Sequence, residues 1–255
     1  MKIVRFKDGG KIRYGVLEGN HVVEYAGTPF GTFKRGRKKY PLKQVVLLAP
    51  VLPSKVVAFG LTYRDHITEA KQMGIPVSDE PVIFLKPSTA VIGPGDPIVC
   101  PAISERVDYE GGLAIVIKKR CKQVSPERAR EYILGYTALN DVTARDLQQR
   151  DVQWTRGKSF DSFCPVGPCI ATDVNPNNLQ IETYLNGECK QKSNTNQFIV
   201  TAERMVSLVS QIMALLPGDV IATGTPPGVG PMRPGDTVEV KIEGIGSLKN
   251  PIIKP

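Results

Sequence analysis

The triplet Pro-Gly-Asp occurs three times, beginning at Pro94, Pro217 and Pro234, and no other feature constrains the fold as much. Each triplet is followed by a stretch rich in β-branched residues: PIVC, VIAT and TVEVKIEG. Proline suits the second position of a type II turn and glycine the third, where a positive φ is needed. Each triplet therefore predicts a turn that leads into a strand, and the main part of the chain should be rich in β structure.

The first 50 residues predict a small β module. KIVRF, IRYGVLEG and HVVEY alternate apolar and polar residues, and they are separated by Asp8-Gly9-Gly10 and Gly19-Asn20, which are hairpin signals. The composition changes after Pro53. We place the boundary near Val51, which divides the chain into a small N-terminal β domain (residues 1–50) and a main domain (residues 51–255).

Two helices are predicted in the main domain. Ser125-Pro126-Glu127 offers an N-cap, a proline in the first turn and an acidic residue near the positive end of the helix dipole, and Gly135 would end this helix. Thr201 would begin the second, whose apolar residues recur at helical spacing and predict a core-facing stripe: Met205, Leu208, Val209, Ile212, Met213 and Leu216. Strands with few helices indicate an α+β, β-rich fold.

Charge says little about partners. The chain has 33 Lys and Arg against 25 Asp and Glu, a net charge of +8. This excess suits an enzyme that attracts small anionic substrates. A basic run lacks interleaved aromatic residues and a nucleic-acid-binding motif around it, so we interpret it as a solvated loop and expect no nucleic-acid partner; it comprises Lys34, Arg35, Arg37, Lys38 and Lys39.

The cysteines and the apolar segments indicate a protein of the reducing cytoplasm without a membrane span. The five cysteines form no C-x-x-C pair, which disfavours a disulfide framework and a zinc site; they are Cys100, Cys121, Cys164, Cys169 and Cys189. The longest apolar-rich stretch, Val45 to Leu52, is interrupted by Pro50 and is shorter than the ~20 residues that a spanning helix needs. The N-terminus lacks the pattern of a secretory signal.

The stretch from Val107 to Lys158 carries the candidate chemistry. The apolar run from Leu113 to Ile117 predicts a buried strand, whose alternation would put Glu110 and Gly112 on one face. An E-x-E pair there would direct two carboxylates at one cation, but glycine supplies no ligand. A glutamate at 112 would be expected to tighten metal binding. The alternatives are a surface strand for Glu110, an N-cap for Asp141 and a salt-bridged surface loop.

A second group of candidates lies in TYRDHITEA, where His66 and Glu69 are three residues apart. On a helix they would share a face, and a carboxylate beside a histidine favours its role as a proton acceptor. An exposed helix pair is the alternative interpretation.

Six segments together resemble the fumarylacetoacetate hydrolase family, from about Val56 to the C-terminus: YRDH, FLKPSTAVIGPGDPI, RVDYE, NDVTARDLQ, QWTRGKSFDSFCPVGP and LPGDVIATGTPPGVG. The resemblance implies the mixed β-sandwich roll of this family with a small N-terminal β domain, usually as a homodimer. It implies that Glu110, position 112 and Asp141 are ligands of Mg²⁺ or Mn²⁺. With Gly112, the metal should bind more weakly.

The resemblance also implies roles for the other candidates. His66 and Glu69 would activate water under a lid, and Lys158 would stabilise an enolate. Arg145, Gln148 and Thr225 would contact the substrate. Thr62 stands where the family often has asparagine.

We therefore expect a metal-dependent enzyme that acts on small anionic 2-oxo or 2,4-dioxo carboxylic acids. Hydrolysis of a carbon–carbon bond, as with acylpyruvates or fumarylacetoacetate, is the first expectation, because it makes the most use of His66 and Glu69. Decarboxylation of an oxaloacetate-like acid and isomerisation of a 2-hydroxy-diene-dioate are alternatives. A metal-poor relative without catalytic activity is a further alternative, because of Gly112.

Overall fold

The computed structural model of the chain describes residues 1–65 and 81–255. These residues form an α+β structure in which strands predominate, as predicted. The α-helices among them are α1 (Arg145–Arg150), α2 (Thr155–Lys158) and α3 (Ala202–Ile212), and the 3-10 helices are Leu42–Gln44, Ser88–Ala90, Pro126–Tyr132 and Thr195–Gln197. The strands are β1 (Lys2–Asp8), β2 (Lys11–Glu18), β3 (His21–Gly27), β4 (Phe33–Pro41), β5 (Val46–Leu48), β6 (Lys55–Gly60), β7 (Val82–Pro87), β8 (Val91–Ile92), β9 (Ile98–Val99), β10 (Val107–Tyr109), β11 (Gly111–Ile117), β12 (Ile133–Asn140), β13 (Thr143–Ala144), β14 (Cys164–Ala171), β15 (Gln180–Leu185), β16 (Glu188–Asn194), β17 (Val220–Ala222), β18 (Gly230–Met232), β19 (Thr237–Ile242) and β20 (Gly246–Ile253).

The described strands form three sheets. The largest has 12 strands in the order β4-β3-β2-β1-β14-β12-β11-β17-β6-β7, with β5 added beside β1 and β8 beside β14. A sheet of five strands has the order β16-β15-β19-β20-β9, and a sheet of three has the order β13-β10-β18. Every residue of β11 is buried. Its apolar run is therefore a strand covered on both faces, as expected for a central strand.

The three Pro-Gly-Asp turns are confirmed. Their glycines Gly95, Gly218 and Gly235 have φ values of +81°, +87° and +101°. The strands β9, β17 and β19 begin shortly after them. The positive φ that glycine tolerates thus reverses the chain at each strand entry.

The three strands predicted in the N-terminal module are β1, β2 and β3. They do not form a separate sheet, because β1 also pairs with β14 of the main part, with Lys2 opposite Ala171 and Ile3 opposite Ile170. The division near residue 51 stays a prediction, and the largest sheet runs across it.

Two local predictions are corrected. The basic run is β4 and not a loop, because its backbone pairs with β3 at the end of the sheet, where charged side chains are tolerated on an exposed edge. The helix predicted from Ser125 to Gly135 is only the 3-10 helix Pro126–Tyr132, and Gly135 lies inside β12. A Cβ on Gly135 would lie 2.5 Å from the carbonyl oxygen of Ala171, so this glycine permits close strand pairing rather than a helix end.

The second predicted helix is α3, and Thr201 caps it, since its side chain accepts a hydrogen bond from the N–H of Arg204. Met205 and Val209 are fully buried, but Ile212 and Leu216 are exposed, so the core-facing stripe is shorter than predicted. None of the helices in the described ranges has the length and apolar character that crossing a bilayer requires.

Candidate active site

Strand register brings Glu110 and Asp141 together. Gly111 of β11 is opposite Asn140 of β12, so Glu110 and Asp141 are the next residues on either side of that pair. The N–H of Asp141 donates to the carbonyl oxygen of Glu110 at 2.8 Å, and the N–H of Glu110 donates to Oδ1 of Asn140 at 2.9 Å. Glu110 lies at the break between β10 and β11, where the chain passes from one sheet to another, and not within one continuous strand as expected.

The ammonium of Lys158 joins the two carboxylates. Lys158 ends α2 and is 1% exposed. Its Nζ lies 2.9 Å from Oε2 of Glu110 and 2.8 Å from Oδ2 of Asp141. The alternative that Asp141 is an N-cap is wrong, because α1 begins at Arg145 with Ala144 in the cap position. A surface location is also excluded, since Glu110, Asp141 and Lys158 are all buried.

A second buried lysine, Lys86, was missed in the sequence. It lies on β7, and its Nζ donates to Oδ1 of Asp141 at 2.7 Å and to the carbonyl oxygen of Val142 at 3.2 Å. In the sheet order β7 is four positions from β12, which in a flat sheet spaced by ~4.8 Å would be about 19 Å. The sheet must therefore curl. The sequence held two signals for it: a lysine within the otherwise apolar strand VIFLKP, and its place in the segment FLKPSTAVIGPGDPI that resembles the family.

Arg145 is fixed by three protein contacts. Its guanidinium donates from Nε to Oδ2 of Asp108 at 2.8 Å, from Nη2 to Oε1 of Glu110 at 2.6 Å and from Nη1 to Oε1 of Gln148 at 2.6 Å. Asp108 is fully buried and was also missed, although it is two residues before Glu110. Arg145 thus contacts Glu110 directly, and Gln148 contacts Arg145. Whether they contact substrate stays a prediction.

Electrostatics keep Glu110 ionised. Burial alone would raise its pKa, but the positive charges of Lys158 and Arg145 and their hydrogen bonds lower the pKa to about 2. Thr143 adds a neutral hydrogen bond, from its Oγ1 to Oε1 of Glu110 at 3.0 Å. Glu110 is therefore a carboxylate throughout the neutral range, as a cation ligand must be.

Thr225 lies at the edge of this site, and its hydroxyl holds a loop in place. Its Oγ1 donates to the carbonyl oxygen of Gly111 at 2.8 Å and accepts from Nε2 of Gln191 at 2.8 Å. The same Nε2 donates to the carbonyl oxygen of Pro226 at 2.8 Å, and Oε1 of Gln191 accepts from the N–H of Gly111 at 3.0 Å. Gln191 thus ties the strand after Glu110 to the loop at Thr225. It lies on the polar strand ECKQKSN, where no local pattern distinguishes it.

Gly112 leaves no room for a side chain. A Cβ at this position would lie 2.4 Å from the carbonyl oxygen of Gly224, a contact that requires the backbone to move. Thr62, which is fully buried, holds that loop by donating to the carbonyl oxygen of Thr223 at 2.6 Å. The expectation that a glutamate at 112 would simply complete the ligand set is therefore corrected.

The predicted residues His66 and Glu69 lie outside the described residues. The chain before them is anchored at two points. Tyr63 is fully buried with its ring centroid 4.8 Å from that of Phe198, and Oδ2 of Asp65 accepts a hydrogen bond from Oγ of Ser193 at 2.8 Å.

The oxygen donors suit a hard divalent cation, although they are few. Oε2 of Glu110 and Oδ2 of Asp141 face a common point, which the ammonium of Lys158 contacts. In residues 1–65 and 81–255 no group of three or more His, Cys, Asp and Glu side chains converges on one point. Two carboxylates fit Mg²⁺ or Mn²⁺ if water or substrate oxygens complete the coordination shell.

Comparisons with known proteins identify the family. A model described as fumarylacetoacetate (FAA) hydrolase C-terminal matches residues 55–253, and a model described as Rv2993c-like, N-terminal, matches residues 1–50. The mitochondrial oxaloacetate tautomerase FAHD2A of Bos taurus is 43% identical over 226 residues, covering 84% of this chain and 71% of that protein.

Solved structures of relatives match the fold of this chain over its whole length. A 5-carboxymethyl-2-hydroxymuconate delta-isomerase from Mycobacterium smegmatis has a TM-score of 0.93 and 45% identity, with 100% of both chains covered. A maleylpyruvate hydrolase from Sphingobium sp. SYK-6, in complex with manganese(II) and pyruvate, has a TM-score of 0.82 and 30% identity, covering 100% of this chain and 99% of that one. The predicted fold is thereby confirmed. All three relatives are enzymes, and one of them was solved with a divalent metal. The chain belongs to the fumarylacetoacetate hydrolase family.

Proposed function

We propose that this protein catalyses proton transfer at the carbon beside the keto group of a small 2-oxo carboxylic acid. The reaction is a keto–enol tautomerisation or the shift of a double bond. The observation that carries the proposal is the buried ammonium of Lys158, shared between Glu110 and Asp141.

An enolate oxygen gains negative charge during such a reaction. An ammonium has three N–H donors, and Glu110 and Asp141 use two of those of Lys158. The third can donate to the enolate oxygen. Because Lys158 is buried and held by both carboxylates, little reorganisation is needed, and the low dielectric strengthens its interaction with the substrate. The predicted proton acceptor is His66, oriented by Glu69.

Glu110 and Asp141 would hold Mg²⁺ or Mn²⁺. The ion, when bound, would polarise the keto oxygen as a Lewis acid. Lys86 and Arg145 orient the two carboxylates by binding their other oxygens. With only two carboxylates the affinity should be modest.

Hydrolysis of a carbon–carbon bond, the first expectation from the sequence, becomes the second candidate. The relatives named as a tautomerase and an isomerase are 43% and 45% identical, whereas two solved hydrolases, a fumarylacetoacetate hydrolase and the maleylpyruvate hydrolase, are 38% and 30% identical. Hydrolysis would additionally require His66 and Glu69 to activate water. Decarboxylation stays a further alternative, as does a relative without activity. A cytoplasmic homodimer is proposed from the cysteine content and the family resemblance.

The deciding experiment follows enol oxaloacetate in the presence of Mn²⁺ by its ultraviolet absorbance. An acylpyruvate is tested in parallel. We expect tautomerisation faster than the spontaneous rate, and a loss of about 10²-fold or more in a Lys158→Met variant whose circular dichroism matches the parent, the usual scale for one preorganised charge. Lys122→Met is the matched control, because Lys122 is an exposed lysine that donates to the carbonyl oxygen of Gln211. Cleavage of the acylpyruvate without tautomerisation would favour hydrolysis, and no turnover of either acid would favour the non-catalytic alternative.

A further inference from the structure

Strand β7 runs past the candidate active site with one of its two faces turned towards it. The alternation of side chains along the strand puts Val82, Phe84 and Lys86 on this face. Lys86 contacts Asp141, and the ring centroid of Phe84 lies 5.1 Å from Nζ of Lys158. The face therefore changes from the charged groups of the site to an apolar surface in the direction of Val82.

Trp154 extends this apolar surface. Its ring centroid lies 5.3 Å from that of Phe84, and the ring planes meet at 69°, which is an edge-to-face contact. The indole lies over Gly60 of β6, the residue opposite Val82, where a Cβ would be only 3.0 Å from Cζ3 of the indole. Glycine thus makes room for the ring. Both rings are only half-buried, so each has surface left for a ligand.

A substrate held by Lys158 would meet this surface. Two of the three N–H groups of the ammonium go to Glu110 and Asp141, and the third remains for an oxygen of the substrate. Because the ring of Phe84 lies beside the ammonium, it also lies beside the carbon chain that this oxygen carries. An apolar wall next to a few orienting polar groups is the usual composition of a small-molecule site. We call Phe84 and Trp154 the aromatic pair.

We propose that the aromatic pair binds the hydrocarbon tail of the substrate while Lys158 binds its oxygen. The preferred substrates are then 2-oxo acids with an apolar or unsaturated chain that is long enough to reach Trp154. Shorter acids, such as oxaloacetate, contact Phe84 at most. This inference rests on the proposed function and deepens it by naming the class of substrate and two residues that determine specificity.

The test measures the binding of 2-oxobutanoate, 2-oxohexanoate and 2-oxooctanoate by calorimetry in the presence of Mn²⁺. We expect the dissociation constant of the parent to fall about fourfold for each methylene group that the aromatic pair covers. In Trp154→Ala, the longer acids should lose most of this gain. The ratio between long and short acids is compared, because it cancels any displacement of Lys158 that affects all three acids alike.

Phe33→Ala is the matched control. Phe33 is also a half-buried aromatic residue of a ring pair, with its centroid 4.6 Å from that of Tyr25. It lies on β4, at the other end of the largest sheet from β7. The control should keep the full gain in affinity with chain length.

A second measurement uses the unaltered protein, in case Trp154→Ala does not fold. Trp154 is the only tryptophan of the chain, so indole fluorescence reports on the aromatic pair alone. We expect 2-oxooctanoate to shift the emission to shorter wavelength, because its tail excludes water from the indole, and 2-oxobutanoate to leave the emission unchanged.

Three results would overturn the inference: equal affinity of the parent for short and long acids, a gain that persists in Trp154→Ala, or an emission that 2-oxooctanoate does not shift. The proposed function would survive each of them, since the acids still bind. Failure of every acid of the series to bind would contradict the proposed function as well, so the two failures are distinguishable.

Discussion

At the scale of single residues, the site is a network in which each charge depends on its neighbours. Asp108 binds Arg145, Arg145 binds Glu110, and Lys158 joins Glu110 to Asp141. Removing one partner from such a buried set leaves an uncompensated charge, which is strongly destabilising. Substitutions that alter the packing around the site but leave all its charged residues in place therefore test the packing without this penalty.

Gly112→Ala is such a change. Its Cβ would lie 2.4 Å from the carbonyl oxygen of Gly224, so the strand or the loop must move. We expect the free energy of unfolding to fall by about 1–3 kcal/mol, the usual cost of overpacking. Urea denaturation measures this free energy in the parent and in the variant. Gly31→Ala is the control, because its Cβ would meet only Oγ1 of Thr28, at 3.8 Å. Equal stability of the two variants would show that the loop at Gly224 yields without cost.

The cysteines should differ widely in reactivity. Burial raises the pKa of Cys164 to about 12 and that of Cys169 to about 11, which leaves almost no thiolate at neutral pH. Cys189 is exposed. We expect a thiol reagent to modify Cys189 rapidly in the native protein and Cys164 and Cys169 only after unfolding, as mass spectrometry of the labelled peptides would show. Rapid labelling of Cys164 or Cys169 in the native protein would refute this assignment, whereas a fast phase on the partly buried Cys100 would not.

At the scale of elements, the sequence predicted those strands and turns whose signal is local. The Pro-Gly-Asp turns and the helix capped by Thr201 depend on neighbouring residues and are confirmed. The strand β4 was missed because its charges hide the pairing of its backbone with β3. The contacts of Lys86 and Gln191 were missed because their partners are 55 and 34 residues away, and no local pattern encodes such a distance.

The position of α2 depends on Gly157. A Cβ on this residue would lie 2.9 Å from the backbone nitrogen of Gln148 and 3.1 Å from the carbonyl oxygen of Ala144. Gly157→Ala should therefore push α2 away from α1 and move Lys158, which follows it directly. We expect kcat for the tautomerisation to fall by up to about 10²-fold, the effect of a misplacement near 1 Å. Circular dichroism checks the fold. A folded variant with the parent kcat would show that Lys158 does not require this packing.

The charges of β4 should keep the edge of the sheet from pairing with another molecule. This strand lies at one end of the largest sheet, and its side chains Lys34, Arg37 and Lys38 are exposed. Replacing these three with threonine should promote association, because an uncharged edge offers open backbone groups for pairing. Light scattering measures this association. The same replacement of the exposed residues Lys118, Lys119 and Lys122 is the control, and equal association of both triple variants would assign the effect to net charge alone.

At the scale of the whole molecule, the site depends on how the largest sheet runs and curls. Glu110 and Asp141 meet because β11 and β12 pair with Gly111 opposite Asn140, and Lys86 reaches Asp141 only because β7 curves back towards them. Sequence patterns identified Glu110, Asp141 and Lys158 as candidates. The register and the curvature that join them are properties of the complete sheet, which local periodicity does not specify.

The same continuity predicts that residues 51–255 do not fold alone. β1 covers one edge of β14, and Ile3, Val4 and Phe6 are buried in the apolar core. Deleting residues 1–50 would expose that edge together with the apolar surface that packs against these side chains, and each lost large side chain removes about 1.5–3 kcal/mol of burial. Because a domain is stable by only about 5–15 kcal/mol, we expect the truncated chain to aggregate or to bind a hydrophobic dye, whereas the full chain should unfold in one transition. Soluble expression of residues 51–255 with a cooperative thermal transition and the parent activity would show instead that the N-terminal strands are an independent domain.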